Sequence, residues 1–246
     1  MTSYGENALV SGLTFLAEKQ ASIANNLANV STTSFKRRAA MAQDSGDRFN
    51  TLLDNKMSMV GYSEHSDMTR GSLRETGNQL NVAIDGPEWM RVQNAEGGEF
   101  YTRNGQLNIA LDGHLTTRDG LHILGRDGSP ILLGSGDSAP TDLTFSPNGT
   151  ITDKQTGQTF GPMALVALPE PEALVPVGRG LYTDPKNQTG KQGVTGLQQG
   201  FIEGSNVDSM QELVAMITVE RSFSATQKAL TGIDRLQGNL ISNMLR

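Results

Sequence analysis

Three histidines and no cysteine are the scarce chemical groups of this 246-residue chain. His65, His114 and His122 form no i, i+4 pair and no H-E-x-x-H helix, the spacing that sets two imidazoles on one metal ion. Asp112, His114 and Asp119 are the one mixed group of ligand types close together in sequence. Both aspartates precede a glycine, however, and Asp-Gly is a favoured tight-turn pair, so they read as turn residues and no metal is expected. The absence of cysteine excludes disulfides, thiolate nucleophiles and Cys-ligated zinc. Gly134-Ser135-Gly136 lacks the strand-to-helix setting that exposes a nucleophilic serine, and no phosphate-binding glycine loop is present. The reading therefore yields no catalytic residue and no cofactor.

Two polar groups stand out beyond these. Lys36-Arg37-Arg38 is a short basic run. It fits either a solvated exit from a helix, whose C-terminal end attracts cations, or ion pairing with an acidic neighbour. Asn25, Asn26 and Asn29 place three poor helix formers within five residues of a helical pattern. They either cover a polar face or bond sideways, since an amide both donates and accepts.

Composition narrows the class of function. Lys and Arg total 20 against 26 Asp and Glu, a net charge of −6, which is the wrong balance for neutralising nucleic-acid phosphates. The longest apolar run, Met163–Leu168, is far short of the ~20 residues a spanning helix needs, so no membrane insertion is expected. The first thirty residues hold one cation, Lys19, and an interrupted apolar pattern, which does not make a cleavable secretory signal.

Proline and glycine divide the chain. All nine prolines and 19 of the 28 glycines lie within residues 81–200, so helix breakers crowd the middle and the ends are free to be helical. At the N-terminus Leu9, Leu13, Leu16, Gln20, Ile23, Leu27 and Val30 follow a 4-3-4-3 spacing, the seam of a coiled coil, with Gln20 its single polar member. Residues 6–30 as a helix would measure about 37 Å. At the C-terminus Met216, Val219, Phe223, Thr226, Leu230, Ile233, Gln237, Leu240 and Met244 repeat the spacing, and Leu213, Ile217 and Leu236 widen the stripe. Ser209 and Glu212 have capping-box spacing, with Asn206 an earlier cap candidate.

Between the helices, Asp85-Gly86, Asn104-Gly105, Asp112-Gly113, Asp119-Gly120, Asp127-Gly128 and Asn148-Gly149 punctuate short apolar stretches. That is a β meander, with strands expected at Leu80–Ile84, Leu107–Leu111, Leu115–Thr117, Leu121–Leu124, Ala164–Leu168 and Leu181–Thr183. The expected fold is α+β: terminal helices paired as a coiled-coil-like bundle around a central, mainly antiparallel β domain. The expected divisions are an N-terminal helix at 1–36, an extended or irregular connector at 37–80, with a short helix within Arg37–Asn55 as the alternative there, the β domain at 81–200 and a C-terminal helix at 201–246. The C-terminal stripe is too wide for one partner helix to cover, which favours self-assembly. The residues expected at a subunit interface are Leu13, Leu16, Gln20, Ile23, Asn26, Leu27, Asn29, Val30, Leu213, Met216, Ile217, Phe223, Leu230, Ile233 and Leu240.

Three blocks resemble a known family. The first is Ile23-Ala24-Asn25-Asn26-Leu27-Ala28-Asn29-Val30-Ser31-Thr32, closing with Phe35-Lys36. The second comprises Gly71-Ser72-Leu73, Thr76-Gly77, the run from Leu80 to Gly86, and Tyr101-Thr102-Arg103-Asn104-Gly105. The third is Gln199-Gly200, Glu203-Gly204-Ser205-Asn206-Val207, Met216-Ile217 and Glu220-Arg221. Together they are similar to the bacterial flagellar rod/hook axial proteins, and within them to basal-body rod proteins of the FlgF type. Departures are Ser34 and Asn81, where the family usually has Gly and Asp, and Gly86-Pro87-Glu88-Trp89-Met90 in place of Gly-x-Gly-Phe-Phe.

The resemblance implies a structural subunit of the proximal rod, not an enzyme, with its terminal helices inside a torque-transmitting tube. It implies export by the flagellar type III apparatus without a cleaved signal, and residence in the periplasmic rod. Expected partners are further copies of the chain and other rod or hook subunits. A distal-rod or hook subunit is the alternative within the family. A secreted carbohydrate-binding β domain with oligomerising ends is the alternative outside it.

Overall fold

The computed structural model describes residues 4–43, 61–134, 140, 142–193 and 196–244. The chain is α+β, with a helix at each end and strands that pair antiparallel throughout. It divides into two compact units. One comprises residues 1–30, 37–67 and 207–246, the other residues 31–36 and 68–206. The division differs in detail from the linear order expected. Residues 31–36 belong with the β unit, and the stretch read as connector is divided, 37–67 going with the helices and 68–80 with the β unit.

In the first unit the N-terminal helix, Tyr4–Ala28, contacts the C-terminal helix, Ser209–Met244. The C-terminal helix starts on neither expected cap. Asp208 does the capping, its Oδ1 accepting from the backbone N–H groups of Met210 (2.9 Å) and Gln211 (3.3 Å) and satisfying donors that the first turn leaves free. Strands Arg38–Gln43 and Gly61–Ser66 pair from Arg38↔Ser66 to Gln43↔Gly61. The short helix considered within Arg37–Asn55 gives way to strand as far as Gln43, and residues 44–60 lie outside those described.

In the second unit a nine-stranded sheet carries the core. Trp89–Gln93 lies at its centre, flanked by Glu99–Thr102 and His122–Ile123, and Leu165–Ala167 also pairs with it. Beyond His122–Ile123 come Leu115–Thr117 and Leu107–Ile109, two of the strands expected from the turn spacing. Val82, Ile84, Met90, Val92, Leu115, Ile123 and Ile151 are completely buried together. A smaller cluster gathers Trp89, Val166, Leu168, Leu174 and Tyr182, with the Trp89 and Tyr182 rings edge to face at 5.0 Å.

The turn dipeptides meet two different demands. Gly113 has φ 83°, the left-handed conformation of a tight turn that a Cβ disfavours. Gly105 answers a close approach instead: a Cβ there would stand 1.6 Å from the Val82 carbonyl oxygen. Val82 N–H donates to the Gly105 carbonyl at 2.9 Å, so the two backbones touch.

Burial of Leu115 is complete, and truncation leaves a cavity in a close-packed sheet. Leu115→Ala is expected to destabilise this unit by about 2–5 kcal/mol. Denaturant unfolding followed by the fluorescence of Trp89, the single tryptophan, reads that loss directly.

Candidate functional site

The terminal helices present two kinds of surface. Of the residues expected at an interface, Ile23 is buried, and Leu13, Leu16, Gln20, Leu27, Asn29 and Val30 are half-buried. On the C-terminal helix Met216, Phe223, Leu230 and Ile233 are half-buried, and Val219 is buried among them. Leu240 lies on the helix, but its side chain is outside those described. Leu213 and Ile217 face solvent. With Met210 and Val214 they are 69%, 42%, 63% and 50% exposed in chain order, an apolar stripe at i, i+3, i+4 and i+7.

Asn26 differs from the expectation. It is fully buried within its own unit, where its Nδ2 donates to the Arg38 carbonyl (2.8 Å) and its Oδ1 accepts from the Arg38 N–H (2.8 Å). Ser22 Oγ donates to the same carbonyl at 3.1 Å. The amide thus stitches the helix to the first strand inside one chain. Asn29 Nδ2 bonds back to the Asn25 carbonyl at 2.9 Å, close to the helix end.

The basic run resolves into ion pairs. Arg37 Nε lies 2.5 Å from Glu212 Oε1, and Arg38 Nη1 lies 3.5 Å from Glu64 Oε2. Lys36 sits in the β unit with its side chain wholly buried, against Glu203, which is 1% exposed. Lys36 Nζ donates to Glu203 Oε1 and to the Thr69 carbonyl, both at 2.6 Å. Gly71 N–H donates to the same Oε1 at 3.1 Å, and Arg103 Nε to Oε2 at 2.7 Å. The rest of the Arg103 fork reaches the carbonyls of Glu88 (2.5 Å) and Ile84 (3.0 Å), with its Cζ 5.7 Å from the Trp89 ring centroid.

One carboxylate therefore faces two cations in a nearly dry interior. Burial works to raise the pKa of Glu203. The charges of Arg103 and Lys36, and their hydrogen bonds, outweigh it and hold the carboxyl below its ordinary 4.5. Backbone carbonyls absorb the surplus positive charge.

Ser34 belongs to the same cluster. Its φ is 57°, so the left-handed exit usually supplied by glycine is retained with a side chain present. Its N–H donates to the Glu203 carbonyl at 2.9 Å and its Oγ to the Arg103 carbonyl at 2.8 Å, which offsets the strain.

Sequence reading missed this cluster because its members are far apart along the chain. The legible hint was that Lys36, Gly71, Arg103 and Glu203 all fall in the blocks carrying the resemblance.

The histidines are placed otherwise. His65 is exposed on the strand opposite Ala39. Asp112 and His114 come together as the sequence suggested, but the third neighbour is His122, while Asp119 lies 3.9 Å from Arg179. Ser135 is outside the described residues.

Two substitutions separate the roles in the buried cluster. Glu203→Gln leaves two buried cations without an anion and is expected to cost about 3–5 kcal/mol. Lys36→Met leaves a balanced Arg103–Glu203 pair and should cost about 1–3 kcal/mol, the loss of hydrogen bonds. Because the folded pKa of Glu203 is depressed, its contribution is complete above the unfolded value and disappears as pH falls through the folded one. Acid unfolding monitored at Trp89 should accordingly start at higher pH in wild type, relative to its neutral stability, than in Glu203→Gln.

The three sequence blocks coincide with three family matches. Residues 7–36 match the flagella basal body rod protein family, residues 83–153 the flagellar hook protein FlgE/F/G D1 domain, and residues 198–243 the flagellar basal body rod FlgEFG protein C-terminal family. Each match contributes one charge to the buried cluster: Lys36, Arg103 and Glu203 in turn. Among whole proteins, the chain is 27% identical to the flagellar basal-body rod protein FlgG of Agrobacterium fabrum, over 90% of this chain and 92% of the relative. It is 29% identical to FlgF of Salmonella typhimurium (89% and 90%) and 28% identical to FlgF of Caulobacter vibrioides (97% and 98%). With matches at both helices and in the β unit, and relatives aligned nearly end to end, the chain belongs to the flagellar basal-body rod proteins of the FlgF/FlgG type.

Proposed function

We propose that this chain is a structural subunit of the flagellar basal-body rod that assembles through its terminal helices. The observation carrying the proposal is the stripe Met210, Leu213, Val214 and Ile217, left in solvent although the opposite face of the same helix is covered within the chain. Four neighbouring apolar side chains on one helix face leave water favourably when a partner covers them. The stripe also lies inside the segment that matches the rod-protein C-terminal family.

In this reading the two helices pair along their 3.5-residue seams, coiled-coil fashion, and the exposed stripe meets neighbouring subunits of the rod or hook type. Leu13, Leu16, Gln20, Leu27 and Val30 complete the interface at the N-terminal helix, while Asn26 serves the chain itself. The subunit leaves the cell through the flagellar type III export apparatus without a cleaved signal and resides in the periplasmic part of the basal body. Its task is mechanical, carrying torque along a tube, and not catalytic. Trp89 and the brief central domain favour the proximal rod. Relatives of both names at 27–29% identity keep the distal rod as the second reading.

Ile217→Asp tests the proposal. The side chain is half exposed in the single chain, so the melting temperature should not change. In an assembled rod the same carboxylate would be desolvated at a cost of several kcal/mol per subunit, roughly the range for an unpaired buried polar group or more. The expected result is a folded, secreted protein in a non-motile strain whose basal bodies lack a complete rod. Normal motility would remove this stripe from the interface.

A further inference from the structure

We propose that Asp112, His114 and His122 form a binding site for a borderline divalent transition-metal ion, of which Zn²⁺ is the type. The three residues each offer a ligand atom, and these atoms all lie within 4.8 Å of one another. Asp112 Oδ2 is 3.1 Å from His114 Nδ1. In a tetrahedral site with bonds of ~2.0–2.1 Å, neighbouring ligand atoms stand about 3.4 Å apart, so this pair already has the spacing of two ligands on one ion. Small side-chain rotations bring in the third.

The imidazole nitrogens are poorly satisfied. Nδ1 of His122 is buried without a hydrogen bond, and Nδ1 of His114 is buried with the Asp112 carboxylate beside it. A buried imidazole nitrogen without a hydrogen bond costs free energy, and an ion held between His122 and the Asp112–His114 pair would accept its lone pair. The rings meet edge to face, with centroids 4.9 Å apart and planes at 84°. Asp112 divides its carboxylate: Oδ1 accepts the His114 N–H at 3.2 Å and fixes the turn, which leaves Oδ2 for the ion.

The backbone holds all three in place. His114 carbonyl accepts the Ala110 N–H at 2.9 Å, closing the turn that carries Asp112. His122 lies in a strand paired with Thr116 on one side and Gln93 on the other. The residues thus come from a tight turn and a neighbouring strand of one sheet, an arrangement rigid enough to select an ion by geometry.

The donor set decides the class of ion. Two imidazoles with one carboxylate suit Zn²⁺ and its neighbours Co²⁺, Ni²⁺ and Cu²⁺, whereas Mg²⁺ and Ca²⁺ prefer oxygen donors throughout. Three protein ligands leave a fourth position for water. Asp112 is exposed and both histidines are partly exposed, so the ion reaches the site from solvent. Once bound, it would staple the turn to the strand in a chain that has no disulfide.

Titration calorimetry of tag-free full-length protein with ZnCl₂, together with absorption spectra of the Co²⁺-loaded protein, tests the site. One saturable equivalent per chain is expected, with Co²⁺ giving visible bands of tetrahedral intensity and Zn²⁺ raising the melting temperature. His114→Gln, His122→Gln and Asp112→Asn should each weaken binding by more than the ~10–100-fold that an outer-shell partner is worth, and His65→Gln should not. Asp112→Asn preserves the turn hydrogen bond, so it tests the ligand even if a histidine variant folds poorly. The proposal is overturned if the wild type binds neither ion saturably, or if binding is unchanged in the Asp112 and His114 variants.

Discussion

A single carboxylate, that of Glu203, is the constraint from which the β unit takes its shape. Its oxygens receive Lys36, Gly71 and Arg103, partners separated from it by 167, 132 and 100 residues. Closing loops of that length costs chain entropy that local contacts do not repay. The ion pairs alone do not repay it either, because two cations and an anion must be stripped of water. What makes the arrangement tenable is that the remaining donors are also satisfied, by carbonyls of Thr69, Ile84 and Glu88. The apolar core supplies the driving force, and the buried charges fix which segments meet.

The cluster also sets the path of the chain. Ser34 must turn left-handed to bring Lys36 inside, and its hydroxyl and N–H are both spent on segments that carry the charged partners. Arg37 and Arg38, the next two residues, pair instead with Glu212 and Glu64 in the helical unit. Three consecutive cations thus serve two units. Within the helical unit Asn26 and Ser22 hold the strand that begins at Arg38, and the two terminal helices are in contact. Met210, Leu213, Val214 and Ile217 form the contiguous stripe among the apolar side chains left exposed there, which also include Val10, Met41 and Leu236.

Much of this was legible in the sequence, where the signal is local. The 4-3-4-3 spacing of Leu9 through Val30 gave a helix observed at Tyr4–Ala28, the Asp-Gly turns placed the strand Leu115–Thr117 without shift, and the apolar stretch Leu181–Thr183 beyond the prolines is a strand as expected. Local rules erred by small steps where two residues compete: Asp208, not Ser209, caps the C-terminal helix, since a carboxylate accepts from two N–H groups at once. The buried cluster was not legible from spacing. Lys36 next to two arginines looks like a solvated helix exit until a carboxylate 167 residues away is known to lie against it. His122 was hidden for a related reason. Strand pairing, not sequence distance, brings it to Asp112 and His114, whereas Asp119, only five residues from His114, faces another direction.

The most direct test of the central claim is an NMR titration of the Glu203 side-chain carboxyl in the folded protein, assigned by comparison with Glu203→Gln. Ionised between Lys36 and Arg103, it should remain charged through the ordinary carboxylate range, with a midpoint below 4.5 or no titration before the fold is lost. A midpoint above 4.5 would contradict the account. Burial would then dominate, and Glu203 would not be the anion that holds these segments together.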